Sequence, residues 1–221
     1  MYTRDIQTDF TRIYDANYWN GEVSRSGRGS DPDQTHFLVP LLINLIKQRD
    51  IASLLDLGCG DLCWMQHVLP MVQKYIGVDI VQDVIEANIN KFGNGTGNAR
   101  FVCDDITRVA IQNVDLIFCR DAICHMTYKD AFRLINHVRM SSAVWFLTTT
   151  IIKDELVNPE THDLPNSSFT WYPVVLTKPP FNFPAPVEIL EELPPELWSI
   201  PRTVPGKVLG LWRVEDVPCL L

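Results

Sequence analysis

Three apolar runs in the first half of the chain end alike. LLDL reaches Asp56 one residue short of Gly-Cys-Gly, YIGVDIV carries Asp79 near its end, and ARFVCDD closes on Asp104 and Asp105. Short apolar runs separated by stretches with helical spacing read as strands of a parallel sheet covered on both faces. In such a sheet the carboxyl ends of the strands share one edge, and ligands bind outside it. The pattern predicts an α/β fold whose binding edge is acidic.

The rest of the chain extends that order. Residues 36–50 read as a helix capped by Asp33 or Thr35, with Pro40 in its first turn. A strand follows over 51–57, a helix over 63–72, a strand over 75–81 and a helix over 81–92 that stops in FGNGTGN. Strands are expected at 99–105, 114–119 and 142–152, with an amphipathic helix over 127–140. Residues 158–190 are rich in proline and hold five aromatic residues, which fits an ordered loop across the ligand edge. VEILEEL and KVLGLWRVE then read as a hairpin on the sheet edge. The expected organisation is one domain: an N-terminal lid (1–35), a cofactor-binding core (36–152), an acceptor loop (153–186) and a C-terminal hairpin (187–221).

The turn Gly58-Cys59-Gly60 offers backbone N–H groups without side-chain obstruction. The third glycine of a dinucleotide fingerprint is missing, because Asp61-Leu62-Cys63 follows. Asp61 also repels phosphate. The site suits a phosphate-free cofactor carrying a cationic amino group, and a nicotinamide oxidoreductase is disfavoured. Asp79 is placed to accept from ribose hydroxyls. Asp105 is placed to accept from an adenine amino group, with the Ile106 N–H on a ring nitrogen.

A net charge of −8 without a Lys/Arg-rich run argues against nucleic acid as substrate. No apolar run is long enough to span a membrane, and MYTRDIQTDFTRIYD lacks the apolar stretch of a signal peptide, so a cytoplasmic protein is expected. The six cysteines lack zinc-finger or framework spacing and read as buried reduced thiols.

LLDLGCGD, YIGVDIV, FVCDDIT and VDLIFCRDAICHMT together resemble the class I S-adenosylmethionine-dependent methyltransferases. The resemblance implies a Rossmann-like seven-stranded sheet, mostly parallel with a reversed last strand and helices on both faces. It implies S-adenosyl-L-methionine as cofactor and S-adenosyl-L-homocysteine as product. Gly58, Cys59 and Gly60 would flank the methionine part. Asp79 and Ile80 would hold the ribose, Asp105 and Ile106 the adenine. Asp56 would order the turn and reach the ammonium through water. YDANYWNGEVSRSGRGSDPDQT, GDLCWM, FCRDAICHMT, TTT, KPPFNFPAP and VLGLWR resemble more narrowly the small glycan-associated sugar methyltransferases of bacteria and large DNA viruses. That likeness implies a saccharide or glycoconjugate acceptor.

Methyl transfer to an alcohol needs alignment and a base. The loop Arg120–His125 offers both. If Asp121 to His125 is one helical turn, the carboxylate orients His125 as base; alternatively Asp121 is the base and His125 donates to the acceptor. Arg120 is assigned to the cofactor carboxylate or the acceptor. Ser26, Gly27 and Arg28 are expected to fold over the cofactor, with Arg28 on its carboxylate. Trp64 is assigned to packing or adenosine contact, and Trp171 with Tyr172 to the acceptor pocket. No metal is assigned; the rival site would join His125, Asp121, Asp154 and His162. The favoured reading is a sugar O-methyltransferase. Alternatives are methylation of another small hydroxylated or amino metabolite, or a non-catalytic cofactor-binding partner protein. The sequence does not give the oligomeric state.

Overall fold

The computed structural model describes residues 5–93, 95, 97–111, 113–160, 171–193, 204 and 206–220. Its centre is a seven-stranded sheet in the order β3-β2-β1-β4-β5-β7-β6. The strands are β1 (Ser53–Leu57), β2 (Lys74–Asp79), β3 (Ala99–Cys103), β4 (Leu116–Cys119), β5 (Trp145–Ile151), β6 (Glu188–Glu191) and β7 (Lys207–Arg213). β1 to β5 are parallel. β7 runs antiparallel to β5 and to β6, so the expected terminal hairpin forms the sheet edge and carries the reversed strand. Chain order reverses between β1 and β4, and a crevice opens there beyond the strand ends.

Helices α1 (Ile6–Asp15), α2 (Pro32–Thr35), α3 (Leu38–Gln48), α4 (Gln82–Phe92) and α5 (Tyr128–Met140) surround the sheet. One core joins Leu38, Leu42 and Leu45 of α3 and Ile85 of α4 to Leu54, Tyr75, Phe101 and Phe118. The other joins Ala131, Leu134, Ile135 and Val138 of α5 to Leu55, Ile76, Ile117 and Phe146. The central strands are apolar on both sides because both faces are covered. Thr127 caps α5 by accepting from Asp130 N.

Several local expectations change. The run 63–72 is not a helix but two short 3₁₀ turns, Met65–His67 and Leu69–Met71. Pro70 lacks the N–H a continuous helix needs and clashes with the preceding turn. α3 has Phe37 at its cap position with no side-chain bond, and Asp33 and Thr35 lie in α2 instead. α1 escaped the sequence reading, although Asp5 caps it by accepting from Thr8 N. All six cysteines are free thiols. Among the described residues no helix is long and apolar enough to cross a membrane.

The proline-rich loop also departs from expectation. Tyr172, Val174, Leu176, Phe181 and Phe183 are buried in the core on the α5 side. Phe181 meets Tyr128 and Phe132 edge-on, with ring centroids 5.5 and 5.8 Å away. Asn158 fastens the segment by donating to the Val175 carbonyl and accepting from Val175 N, both at 2.8 Å. Its aromatic residues had too much area to leave in water. Phe181→Ala should therefore cost about 3–5 kcal/mol of stability in urea unfolding. A loss under about 1 kcal/mol, the range of an exposed loop residue, would refute this packing.

Candidate active site

β1 gives way at Leu57 to Gly58-Cys59-Gly60. Gly58 (φ 81°) and Gly60 (φ 58°) occupy the left-handed region that glycine enters without a Cβ penalty. The carbonyl of Val78 in β2 accepts from Gly58 N at 2.8 Å and from Cys59 N at 3.0 Å. Asp79 Oδ2 accepts from Gly60 N at 3.0 Å, and Ser26 Oγ from Asp61 N at 3.1 Å. This corrects the expectation of open amide donors. All four N–H groups are bonded inside the protein, and no α-helix N-terminus follows. The turn offers phosphate nothing. Gly60 serves close approach instead, since a Cβ there would lie 2.2 Å from Ser26 Oγ and 3.0 Å from the Tyr14 hydroxyl.

The segment pressing on Gly60 belongs to residues 1–35, the stretch expected to be a lid. Asp61 accepts from Ser24 Oγ and Arg25 N at 2.9 Å and from Ser26 Oγ at 3.2 Å. Asp31, buried, gathers the N–H groups of Glu22, Val23 and Ser24. Asp61 thus clamps the lid, a role the sequence reading missed. Arg28 is corrected as well: its guanidinium pairs with Asp31 and Asp33, although the residue lines the cleft with Ser26 and Gly27.

Between lid and strand ends lies a cleft of about 440 Å³ that Asp56, Asp79, Ile80, Asp105 and Ile106 help to line. Asp56 accepts from the Tyr75 hydroxyl at 2.6 Å. Burial pushes its carboxyl up to about 7. Burial raises Asp79 as well, against the backbone bonds from Gly60 and Val81. Each carboxylate oxygen has two lone pairs, so both groups can still accept from a ligand. Asp105 accepts from Thr107 N at 2.8 Å. Trp64 is buried edge-on to Phe118, centroids 5.9 Å apart, and lies 5.4 Å from the Arg120 guanidinium.

The loop after β4 brings Asp121 and His125 to the same cleft, but not on one helical turn. Asp121 has a positive φ of 54°, and a 3₁₀ turn covers Ile123–His125. Asp121 Oδ2 is 2.5 Å from Lys207 Nζ, and Oδ1 accepts from Thr149 Oγ1 at 3.2 Å. Burial opposes its charge, yet Lys207 and Arg120 overcome that and hold the carboxyl well below the usual carboxylate range. A carboxylate so stabilised is a weak base. The His125 ring lies 5.0 Å from the Trp19 ring.

Arg120 lines the cleft as well, with its own bonds directed to the protein. It is buried, donates to Glu192 through Nε (3.1 Å) and Nη2 (2.8 Å), and donates through Nη2 to the Gly29 carbonyl at 2.8 Å. Glu192 and Lys207 were invisible in the sequence, where they read only as hairpin residues. Of the proposed acceptor pair, Trp171 lines the cleft. Tyr172 does not: it is buried, and its hydroxyl is bonded to the carbonyls of Ile123 (3.2 Å) and Met126 (3.0 Å). Among the described residues no three His, Cys, Asp or Glu side chains could hold a metal ion. His162, from the rival metal set, lies outside the described residues.

Residues 54–141 match a family model described as a methyltransferase domain. No curated protein sequence matches the chain significantly. Solved structures do. The N-methyltransferase NodS of Bradyrhizobium japonicum WM9 is similar with a TM-score of 0.58 and 13% identity, over 83% of this chain and 97% of that one. Magnesium protoporphyrin IX methyltransferase of Synechocystis PCC 6803, solved with bound S-adenosylmethionine, gives 0.53 and 15%, over 72% and 83%. An S-adenosylmethionine-dependent methyltransferase of Clostridium acetobutylicum gives 0.46 and 21%, over 53% and 50%. The chain spans about half the length of the first solved structures it matches. Residues 54–141 thus resemble a methyltransferase domain, and the sheet shares its fold with solved methyltransferases.

Asp56 gives this site a pH signature. Its folded pKa of about 7 lies above the ordinary 3.8. Its contribution to stability is therefore complete below pH ~4 and lost as pH rises through ~7. Asp56→Asn keeps an acceptor for Tyr75 but cannot titrate. The stability gain of this variant over wild type should grow by about 1.4 kcal/mol per pH unit in that window, to about 4 kcal/mol at most. Urea unfolding at several pH values measures it, and a difference that does not change with pH contradicts the assignment.

Proposed function

We propose that the whole protein is an S-adenosylmethionine-dependent O-methyltransferase acting on a sugar hydroxyl of a glycan or glycoconjugate. The observation that carries this reading is one cleft lined by two kinds of group. Asp56 and Asp79 are buried carboxylates, and His125, beside Trp19, lines the same cleft with Trp171.

The carboxylates fit the cofactor. Asp79 accepts from the ribose hydroxyls and Asp105 from the adenine amino group, with the Ile106 N–H on the ring. Asp56, desolvated and paired only with a phenol, gains from a nearby ammonium. Once bound, the cofactor supplies an electrophilic methyl group, which the acceptor oxygen takes as the thioether departs. His125 removes the hydroxyl proton as that oxygen attacks. Asp121, locked by Lys207, sets the loop that presents His125. Trp19 and Trp171 suit the apolar face of a sugar ring, and the net negative charge favours a neutral acceptor over nucleic acid. In this reading residues 1–35 are the lid, with 24–30 over the cleft, and the reaction is cytoplasmic.

Incubation with S-adenosylmethionine and a panel of methyl glycosides, including deoxy and amino sugars, should give one added methyl by mass spectrometry. His125→Ala should lower that turnover by roughly 10²- to 10⁴-fold and leave S-adenosylhomocysteine affinity unchanged. Turnover retained in His125→Ala removes it as base. Methylation of amino sugars alone replaces the hydroxyl reading with an amine one.

A further inference from the structure

Glu192 lies just beyond the edge strand β6 and Gly29 of the lid precedes α2, yet both meet at one guanidinium. Glu192 takes two bonds from Arg120, and the nitrogen closer to it, Nη2, also reaches the Gly29 carbonyl. Lys207 Nζ sits 3.1 Å from Glu192 and 2.5 Å from Asp121. Two cations and two anions balance in this buried cluster, so neither charge sign is stranded. Gly29 is seated against it: a Cβ there would be 3.6 Å from Asp121 Oδ2 and 3.9 Å from Lys207 Nζ.

A guanidinium is planar, and a two-point pair with a carboxylate fixes that plane. With Glu192 holding Nε and Nη2, the remaining Nη2 hydrogen has one direction, and the Gly29 carbonyl lies along it. We infer that Glu192 is a positioning residue for the lid: through Arg120 it latches Gly29 over the cleft and so slows release of the cofactor. The inference rests on the reading that the cleft takes S-adenosylmethionine. Asp61 anchors the lid at Ser24, Arg25 and Ser26, and Arg120 anchors it at Gly29. The cleft-lining Gly27 lies between the two anchors, so both hold this stretch over the cleft.

The test pairs calorimetry with S-adenosylhomocysteine and amide hydrogen exchange of residues 24–30. Glu192→Gln removes the charge and one acceptor. It should raise the dissociation constant roughly ten- to a hundredfold and speed exchange in 24–30, with β1 and β2 unchanged. Glu192→Asp keeps the carboxylate at a shorter reach and should shift both readouts the same way by less; it carries the test if the Gln variant does not fold. Glu188→Gln, which breaks the Arg49 pair on the same strand, should change neither. Unchanged affinity and unchanged lid exchange in a folded Glu192 variant overturn the latch. So does protection lost equally across the sheet, which would make Glu192 a support of the fold. Wild-type protein that fails to bind the thioether contradicts the cofactor reading instead, and the exchange readout still decides the latch.

Discussion

A single backbone oxygen sets the character of the site. The Val78 carbonyl accepts from both Gly58 and Cys59, which folds the turn after β1 back onto the neighbouring strand. That brings Gly60 N to Asp79 and leaves Asp61 pointing up at the lid. Because these donors are consumed internally, the turn presents no free amide to the cleft, and Asp56 and Asp79 line it instead. Anion binding at such turns depends on free N–H groups, and none of these four is free.

The acids around the turn are alike in sequence and divided in task. Asp61 and Asp31 are covered by backbone and hydroxyl donors and work as clamps. Asp56 and Asp79 are buried with few donors and are raised by desolvation. Asp121 is buried too, but Lys207 and Arg120 push it the other way. Environment, not residue type, separates the carboxylates held by donors from those raised by burial, and it leaves Asp121 a weak base.

The sheet was legible because its strands are buried on both faces and announce themselves as apolar runs; even the terminal hairpin showed. Asp56, Asp79 and Asp105 were legible because strand ends fix where their side chains emerge. The errors share a cause. Pro70 breaks 63–72, and the internal bonds of the glycine turn depend on a carbonyl twenty residues away. Tyr172 is drawn into the core by α5, which no local pattern records. Arg28 and Arg120 were assigned to the ligand because the sequence gives charge without partners; Asp33 sat five residues from Arg28, but Glu192 is seventy-two residues from Arg120. Long-range polar pairs were the part that could not be read.

The fold therefore joins a crevice whose glycine turn has no free amide to a lid tied down on both sides of Gly27. The proposed reading follows from this: a cationic adenosyl amino acid suits such a crevice, whereas a dinucleotide pyrophosphate would meet carboxylates and occupied amides. Calorimetry of the wild-type protein with S-adenosylhomocysteine and, separately, with NAD measures that choice directly. Saturable binding of the thioether with no heat from NAD is the predicted result. Binding of NAD with none of the thioether would contradict it.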